Sequence, residues 1–95
     1  MDGKENGIIR QRIVFNGWVQ GVGFRYRAYH AASSAGATGW VKNNYDGSVT
    51  MEIQGTRQQI DSVILALNRG TYIRIEDMSV SSLSPDEDER TFRIK

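Results

Sequence analysis

The hydrophobic pattern changes its period across a short glycine-rich segment near the N-terminus. Over residues 10–16 apolar and polar residues alternate, with Ile13 and Phe15 on one side, which predicts a half-buried strand. Over residues 24–35 five apolar residues recur at helical spacing, and four of them are alanines. The linking stretch, residues 16–25, holds three glycines and no proline. These patterns predict a strand, a tight loop and a helix that can pack very closely on its neighbour.

Two further strands are predicted to form a hairpin after this helix. Gly36 is a suitable helix stop, because glycine readily adopts the left-handed backbone of a helix end. Residues 37–44 then predict a second strand, and the Asp46-Gly47 pair is a strong hairpin signal. Residues 48–54 alternate again, so we expect a third strand that pairs antiparallel with the second.

The C-terminal half predicts one more helix and two more strands. Residues 57–68 carry an apolar stripe at helical spacing, with Thr56 placed to cap the start and Gly70 to end it. Residues 72–83 predict a fourth strand, whose apolar parity changes near Asp77, so we expect a bulge there. The acidic run after it predicts a solvated loop, and residues 91–95 a short last strand.

The predicted order is β-α-β-β-α-β with a short extra C-terminal strand. It indicates the α+β class, as a ferredoxin-like sandwich: an antiparallel sheet with two helices on one face. A chain of 95 residues is enough for one domain, predicted over residues 10–95. Residues 1–9 are mostly polar and predict a flexible N-terminal arm, with no apolar segment of the kind found in signal peptides.

Composition excludes several function classes. Twelve basic against eleven acidic residues argue against a nucleic-acid or membrane partner. The chain has no cysteine and a single histidine, His30, which excludes thiolate chemistry and leaves too few ligands for most metal sites. We therefore expect no metal and no cofactor, and a cytoplasmic monomer that binds a small ligand in a surface cradle.

The chemistry is predicted at the first loop. The backbone N–H groups of five consecutive residues precede or open the helix and lack intrahelical partners; they belong to Gln20, Gly21, Val22, Gly23 and Phe24. The two glycines let these groups converge, and the helix dipole adds positive charge. Arg25 follows on the first turn, where its guanidinium can bind two phosphate oxygens. The dinucleotide-binding pattern fails because Tyr26 stands where its third glycine should be, and no P-loop lysine is present.

Two sequence blocks resemble the acylphosphatase family. Residues 17–25, GWVQGVGFR, are similar to its signature, and residues 39–43, GWVKN, to its second block. Similarity continues through residues 47–49, 54–55 and 92–94, so that it covers roughly residues 10–95. One departure is Trp18, which stands where the family commonly carries a basic residue.

The resemblance implies hydrolysis of a small-molecule acyl phosphate to a carboxylate and inorganic phosphate, without metal, cofactor or covalent intermediate. By position, Arg25 is the phosphate-binding catalytic arginine and Asn43 holds the attacking water. Inorganic phosphate or sulfate would compete for the loop. Because successive strand residues point to opposite faces, only one of Asn43 and Asn44 can face the cradle, and motif position favours Asn43.

Two other functions remain open at this point. The same fold could serve as a non-catalytic regulatory domain that binds phosphate or carbamoyl phosphate. An RNA-binding module is the third alternative, since residues 23–26, GFRY, faintly resemble aromatic RNA-binding blocks. Such aromatics must lie on a central strand and stack on bases, whereas these are predicted to open a helix.

Overall fold

A computed structural model describes residues 7–95, and the strands and helices follow the predicted order. They are β1 (Ile9–Trp18), α1 (Phe24–Ala35), β2 (Thr38–Asn43), β3 (Val49–Gly55), α2 (Arg57–Asn68), β4 (Arg74–Leu83) and β5 (Phe92–Ile94). The predicted arm, residues 1–9, lies largely outside the described residues, as does most of the segment examined for a signal peptide. Within the described part of the chain, no helix is long and apolar enough to cross a membrane.

The five strands form one sheet in the order β4-β1-β3-β2-β5. The first four pair antiparallel, as predicted, whereas β5 lies parallel to β2 and makes the sheet mixed. The chain path explains this difference. The strand β4 ends at the same end of the sheet at which β2 begins, and the connecting loop crosses that end to reach the other edge. The strand β5 therefore starts level with β2 and runs in the same direction.

The core lies between the sheet and the two helices. The alanine face of α1 is confirmed, with Ala28 and Ala32 fully buried, and Phe24 packs edge-on against Phe15 at 4.9 Å between ring centroids. Fully burying a side chain such as phenylalanine stabilises the fold by about 1.5–3 kcal/mol. Phe24 is the first residue of α1, so this contact fixes the end of the helix that borders the glycine loop.

The ends of the helices follow the predicted chemistry with one exception. The Thr56 Oγ1 accepts a hydrogen bond from the Gln59 N–H at 3.1 Å, and the Gln59 Oε1 accepts one from the Thr56 N–H at 2.8 Å, which together form a capping box. Gly36 ends α1 with a φ of 82°, as expected for a left-handed stop. The prediction for Gly70 was wrong in detail, because α2 is capped by Arg69 in a right-handed conformation.

The predicted bulge in the fourth strand is confirmed. The register of β4 against β1 shifts between Asn16 and Gly17, so that Asn16 faces Asp77 and Gly17 faces Ile75. Glu76 is the extra residue. A bulge strengthens the local twist and bends its strand, and here it lies at the end of β1, where the chain enters the glycine loop.

The acidic loop before β5 is not only a solvated segment, contrary to the prediction. Glu89 forms an ion pair with the buried Arg10 at 2.8 Å, and Arg10 also pairs with Glu52 at 3.0 Å. The Gln54 side chain binds the backbone of Asp86 through both its amide and its carbonyl groups, at 2.9 and 2.7 Å. These contacts hold the crossing loop against the sheet and so place β5 beside β2.

Candidate active site

The loop between β1 and α1 is shaped by two glycines in left-handed conformations. Gly21 has a φ of 72° and Gly23 a φ of 78°, values that residues with a side chain rarely adopt. A Cβ atom at either position would meet open space, so both face the loop's concave surface or solvent and not packed protein. Gly23 is the N-cap of α1 and offers no side chain to bond the first turn.

The start of α1 consequently presents free backbone donors. Its first intrahelical hydrogen bond runs from the Arg27 N–H to the Gly23 carbonyl oxygen, at 3.0 Å. The N–H groups of Phe24, Arg25 and Tyr26 precede it and have no acceptor within the helix. No acidic residue occupies the first turn of α1. An anion is therefore the natural partner of these groups, since the helix dipole adds positive charge at the same place.

The side chain of Gln20 anchors the loop to the neighbouring hairpin. Its Nε2 donates to the backbone oxygens of Asn44 and Ser48, both at 2.8 Å. Those residues flank the turn between β2 and β3, so the loop is tied to the end of the strand that carries Asn43. Only a backbone role was predicted for Gln20, so this tether is an additional role of its side chain. The side-chain amide of Gln20 has two N–H donors, which indicated that it could form such bonds. Its acceptors could not be identified from the sequence, because they are backbone oxygens more than 20 residues away.

Arg25 is half-buried, and no Asp or Glu side chain among residues 7–95 forms an ion pair with it. Its Nη1 lies 3.5 Å from the backbone oxygen of Lys95, a long and weak contact. The Lys95 ammonium rests over the Trp40 ring at 4.2 Å, and the Lys95 N–H donates to the Val41 oxygen at 2.8 Å. The backbone of Lys95 thus lies beside Arg25 at one side of the site.

Asn43 ends β2 and shares the helix-facing side of the strand with the buried Val41. Its Oδ1 is buried and has no hydrogen-bond partner among the residues that the structure describes. A buried acceptor without a partner costs about 1–3 kcal/mol. An oxygen in this situation is a strong candidate to bind a water molecule or a ligand.

Asn44, the next residue, points to the other side of the sheet. Its Nδ2 donates to the Ser48 Oγ at 3.0 Å and to the Thr50 Oγ1 at 2.7 Å, so its side chain holds the hairpin. Two hydrogen bonds lower the pKa of Asp46 in the same turn: the one from the Ser48 hydroxyl has the larger effect, and the one from the Ser48 backbone N–H the smaller. The hydrogen bonds of this hairpin therefore favour the ionised form of Asp46.

One cavity of about 230 Å³ brings the predicted chemical groups together. It is lined by Val19, Gly21, Gly23, Phe24, Arg25, Tyr26, Asn43 and Ile94. Of the predicted loop residues, Gln20 and Val22 do not line it. Val19, Tyr26 and Ile94 line the cavity but were not among the predicted site residues. Ile94 reaches the cavity only because β5 pairs with β2, which no local pattern announces.

Trp18 and His30, which the sequence singled out, both lie outside the cavity that holds Arg25 and Asn43. Trp18 is 69% exposed and does not line the cavity of Arg25 and Asn43, so its departure from the family pattern changes the outer surface beside the loop. His30 lies against Tyr26 and Tyr29 on the exposed side of α1. Among residues 7–95 no three histidine, cysteine or acidic side chains are grouped so that they could hold a metal ion.

The chain is similar to acylphosphatases in sequence and in structure. The family model described as Acylphosphatase matches residues 11–94. An acylphosphatase from Geobacillus kaustophilus is 40% identical over 86 residues, which cover 90% of this chain and 92% of the relative. The crystal structure of acylphosphatase from Bacillus subtilis superposes with a TM-score of 0.83 at 34% identity, over 92% of this chain and 98% of that one.

A domain of a larger protein has a similar fold. Full-length HypF, in a crystal structure of its phosphate- and nucleotide-bound form, gives a TM-score of 0.82 at 25% identity. The match covers 94% of this chain but only 12% of HypF. The fold therefore occurs both as a nearly whole small protein and as a small part of a large one.

Proposed function

The chain belongs to the acylphosphatase family and hydrolyses the carboxyl–phosphate bond of acyl phosphates, and we propose that it does so in the cavity that holds Arg25 and Asn43. In this proposal the backbone N–H groups of residues 20–24 and the guanidinium of Arg25 bind the phosphoryl group. Asn43 binds the attacking water. The observation that carries the proposal is the buried, unpartnered Oδ1 of Asn43 in the same cavity as Arg25.

Arg25 and the loop supply positive charge where the reaction needs it. Phosphoryl transfer depends mostly on positioning and on electrostatic stabilisation of the equatorial oxygens. No Asp or Glu side chain in residues 7–95 pairs with the guanidinium of Arg25, and α1 begins with N–H groups that have no acceptor within the helix. These groups favour a dianionic phosphoryl group before the reaction and hold its charge as the bond to the acyl oxygen breaks.

Asn43 aims the nucleophile. Its Oδ1 accepts a hydrogen bond from the water, so that a lone pair of the water oxygen is directed at phosphorus. The water oxygen bonds to phosphorus, the bond from phosphorus to the acyl oxygen breaks, and its electron pair leaves with the carboxylate. The proton released by the water passes to a phosphate oxygen.

The leaving group explains why no acid–base pair is required. An ordinary carboxyl group has a pKa near 4, so a carboxylate leaves readily without a proton. Arg25 and the loop N–H groups supply the charge stabilisation that a metal ion would otherwise bring. We therefore infer that the reaction needs neither metal nor cofactor, and that inorganic phosphate or sulfate competes with substrate for the loop.

The two alternatives find less support. Acylphosphatases are matched along nearly their whole length, whereas the match to HypF covers 12% of that protein, which favours an enzyme over a regulatory domain. Phe24 is buried against Phe15 at the start of a helix, so it cannot stack on an RNA base. The cytoplasmic location and the monomeric state stay predictions.

The test is hydrolysis of benzoyl phosphate with a chelator present. We expect an active wild type, loss of about 10²–10³-fold in kcat for Asn43→Ala, and a similar or larger loss for Arg25→Gln. Calorimetric titration with inorganic phosphate separates the two roles, because Arg25→Gln should weaken phosphate binding and Asn43→Ala should not.

Matched controls are Arg57→Gln and Asn68→Ala, exposed residues of the same types on α2. Both should hydrolyse benzoyl phosphate like the wild type. Full activity in Asn43→Ala, or unchanged phosphate binding and activity in Arg25→Gln, would contradict the proposed roles.

A further inference from the structure

A second cavity lies beside the phosphate site, on the other side of the start of α1. We propose that it receives the acyl group of the substrate, and that it favours an aromatic or large apolar acyl group over an acetyl group. The inference rests on the proposed function, because it takes the positions of phosphate and water from it. All acyl phosphates carry the same phosphoryl group, so only a site that contacts the acyl group can distinguish one substrate from another.

The direction of the leaving group follows from the chemistry. In phosphoryl transfer the attacking oxygen, phosphorus and the leaving oxygen lie roughly in line. A water bound to Asn43 approaches from the end of β2, where Ile94 of the neighbouring strand β5 also lies. The acyl oxygen must then depart on the opposite side of the phosphoryl group, away from β2 and β5.

The lining residues of the second cavity match that opposite side. This cavity has a volume of about 380 Å³ and shares Gly23 and Tyr26 with the phosphate cavity, so the two adjoin at the N-terminus of α1. Asn43 and Ile94 do not line it. Its other wall comes from the segment between α2 and β4, with Tyr72 and Ile73. A phosphoryl group on the loop can therefore have water on one side and an acyl chain on the other.

The walls of this acyl cavity suit a flat, apolar group. Tyr26 is 64% exposed and Tyr72 is 76% exposed, so both rings are available for contact. His30 stands edge-on to Tyr26 at 4.6 Å between ring centroids, which steadies that ring. Val22 and Ile73 add aliphatic surface, and no carboxylate lines the cavity. Arg27 also lines it, and its Nε donates a hydrogen bond to the backbone oxygen of Ala66. An acetyl group is too short to use these contacts, whereas a benzoyl ring is wide enough to pack on them.

The experiment compares two substrates in the full chain. The values of kcat/KM for benzoyl phosphate and acetyl phosphate are measured for the wild type, Tyr72→Ala, Tyr72→Phe and Tyr45→Ala. Tyr72 is chosen because it lines the acyl cavity and not the phosphate cavity, and its exposure makes the substitution harmless to the core. Tyr45 is the matched control: it is fully exposed on the β2–β3 turn and lines neither cavity.

We expect Tyr72→Ala to lower kcat/KM for benzoyl phosphate about tenfold, the factor for losing roughly 50 Å² of apolar contact. The loss should appear mainly in KM, and the value for acetyl phosphate should stay within about twofold of the wild type. Tyr72→Phe should keep the preference for benzoyl phosphate, because it keeps the ring. Tyr45→Ala should behave like the wild type with both substrates, and inhibition by inorganic phosphate should not change in any variant.

Each other outcome has a distinct meaning. Equal losses with both substrates in Tyr72→Ala, or no loss with either, would overturn the acyl cavity while leaving the proposed function intact. A wild type that prefers acetyl phosphate would overturn it as well. A wild type that hydrolyses neither substrate would overturn the proposed function, and the acyl cavity with it.

Discussion

Replacing Asn43 by leucine should remove activity without costing stability. The Oδ1 of Asn43 is buried and makes no hydrogen bond within residues 7–95, so the substitution gives up no bond from that atom. An unpartnered buried acceptor costs about 1–3 kcal/mol. Leucine has nearly the same size and no polar atom. We therefore expect Asn43→Leu to be as stable as the wild type or up to about 1 kcal/mol more stable.

Asn44→Leu is the matched comparison, because it changes the adjacent asparagine in the same way. Its Nδ2 makes two hydrogen bonds, at 3.0 Å to Ser48 and 2.7 Å to Thr50. A typical bond contributes about 0.5–1.5 kcal/mol, and the acceptors left behind are partly buried, so a loss of about 1–3 kcal/mol is expected. Asn44→Leu should thus lower the stability of the protein, whereas Asn43→Leu should not.

The assay is urea denaturation together with benzoyl phosphate hydrolysis. For Asn43→Leu the denaturation midpoint should stay or rise while kcat falls roughly 10²–10³-fold. A drop in stability of more than about 1 kcal/mol would show that Asn43 is held by bonds that the structure does not contain. Retained activity would remove Asn43 from the mechanism. Either result would refute the reasoning from the buried, unpartnered oxygen.

Four other substitutions test the parts that support the site. Gln20→Ala removes the two 2.8 Å hydrogen bonds to the β2–β3 hairpin. We therefore expect KM for the acyl phosphate to rise several-fold, which corresponds to a loss of binding free energy on the order of 1 kcal/mol. The secondary structure measured by circular dichroism should match that of the wild type. Gly39→Ala should prevent folding or lower the free energy of unfolding by more than about 3 kcal/mol in thermal denaturation, because the new Cβ would collide with the Glu52 carbonyl. Gly47→Ala is the comparison: a Cβ there meets open space, so the substitution should cost only about 1–2 kcal/mol, for the positive φ. The lowered pKa of Asp46 means that its ionised form stabilises the hairpin above the ordinary carboxyl pKa of 3.8 and that this contribution is lost as the pH falls below it. The wild type should therefore exceed Asp46→Asn in melting temperature at neutral pH, and the difference should shrink in acid; a constant difference would contradict this role.

Much of the fold could be predicted because its signals are local. The alternation around Ile13, the alanine face of α1 and the capping box at Thr56 each lie within one element, and the structure contains all three. The parity change near Asp77 was enough to predict a bulge. The parallel pairing of β5 could not be predicted in this way, because it depends on where the crossing loop is held. That loop is fixed by Arg10 and Glu89, which are 79 residues apart in the sequence.

The candidate site likewise has features that local sequence determines and features that only tertiary contacts determine. The sequence by itself determined the glycine loop and the arginine that follows it, since both depend on the conformations that Gly21, Gly23 and the first turn of α1 can adopt. Only the tertiary structure decided that Gln20 ties this loop to the hairpin, that the Oδ1 of Asn43 is buried without a partner, and that a second cavity adjoins the first. Backbone conformation and hydrophobic periodicity depend on residues that are close together in the sequence. The burial of an atom, its hydrogen-bond partners and the walls of a cavity depend on segments that come into contact only when the chain folds.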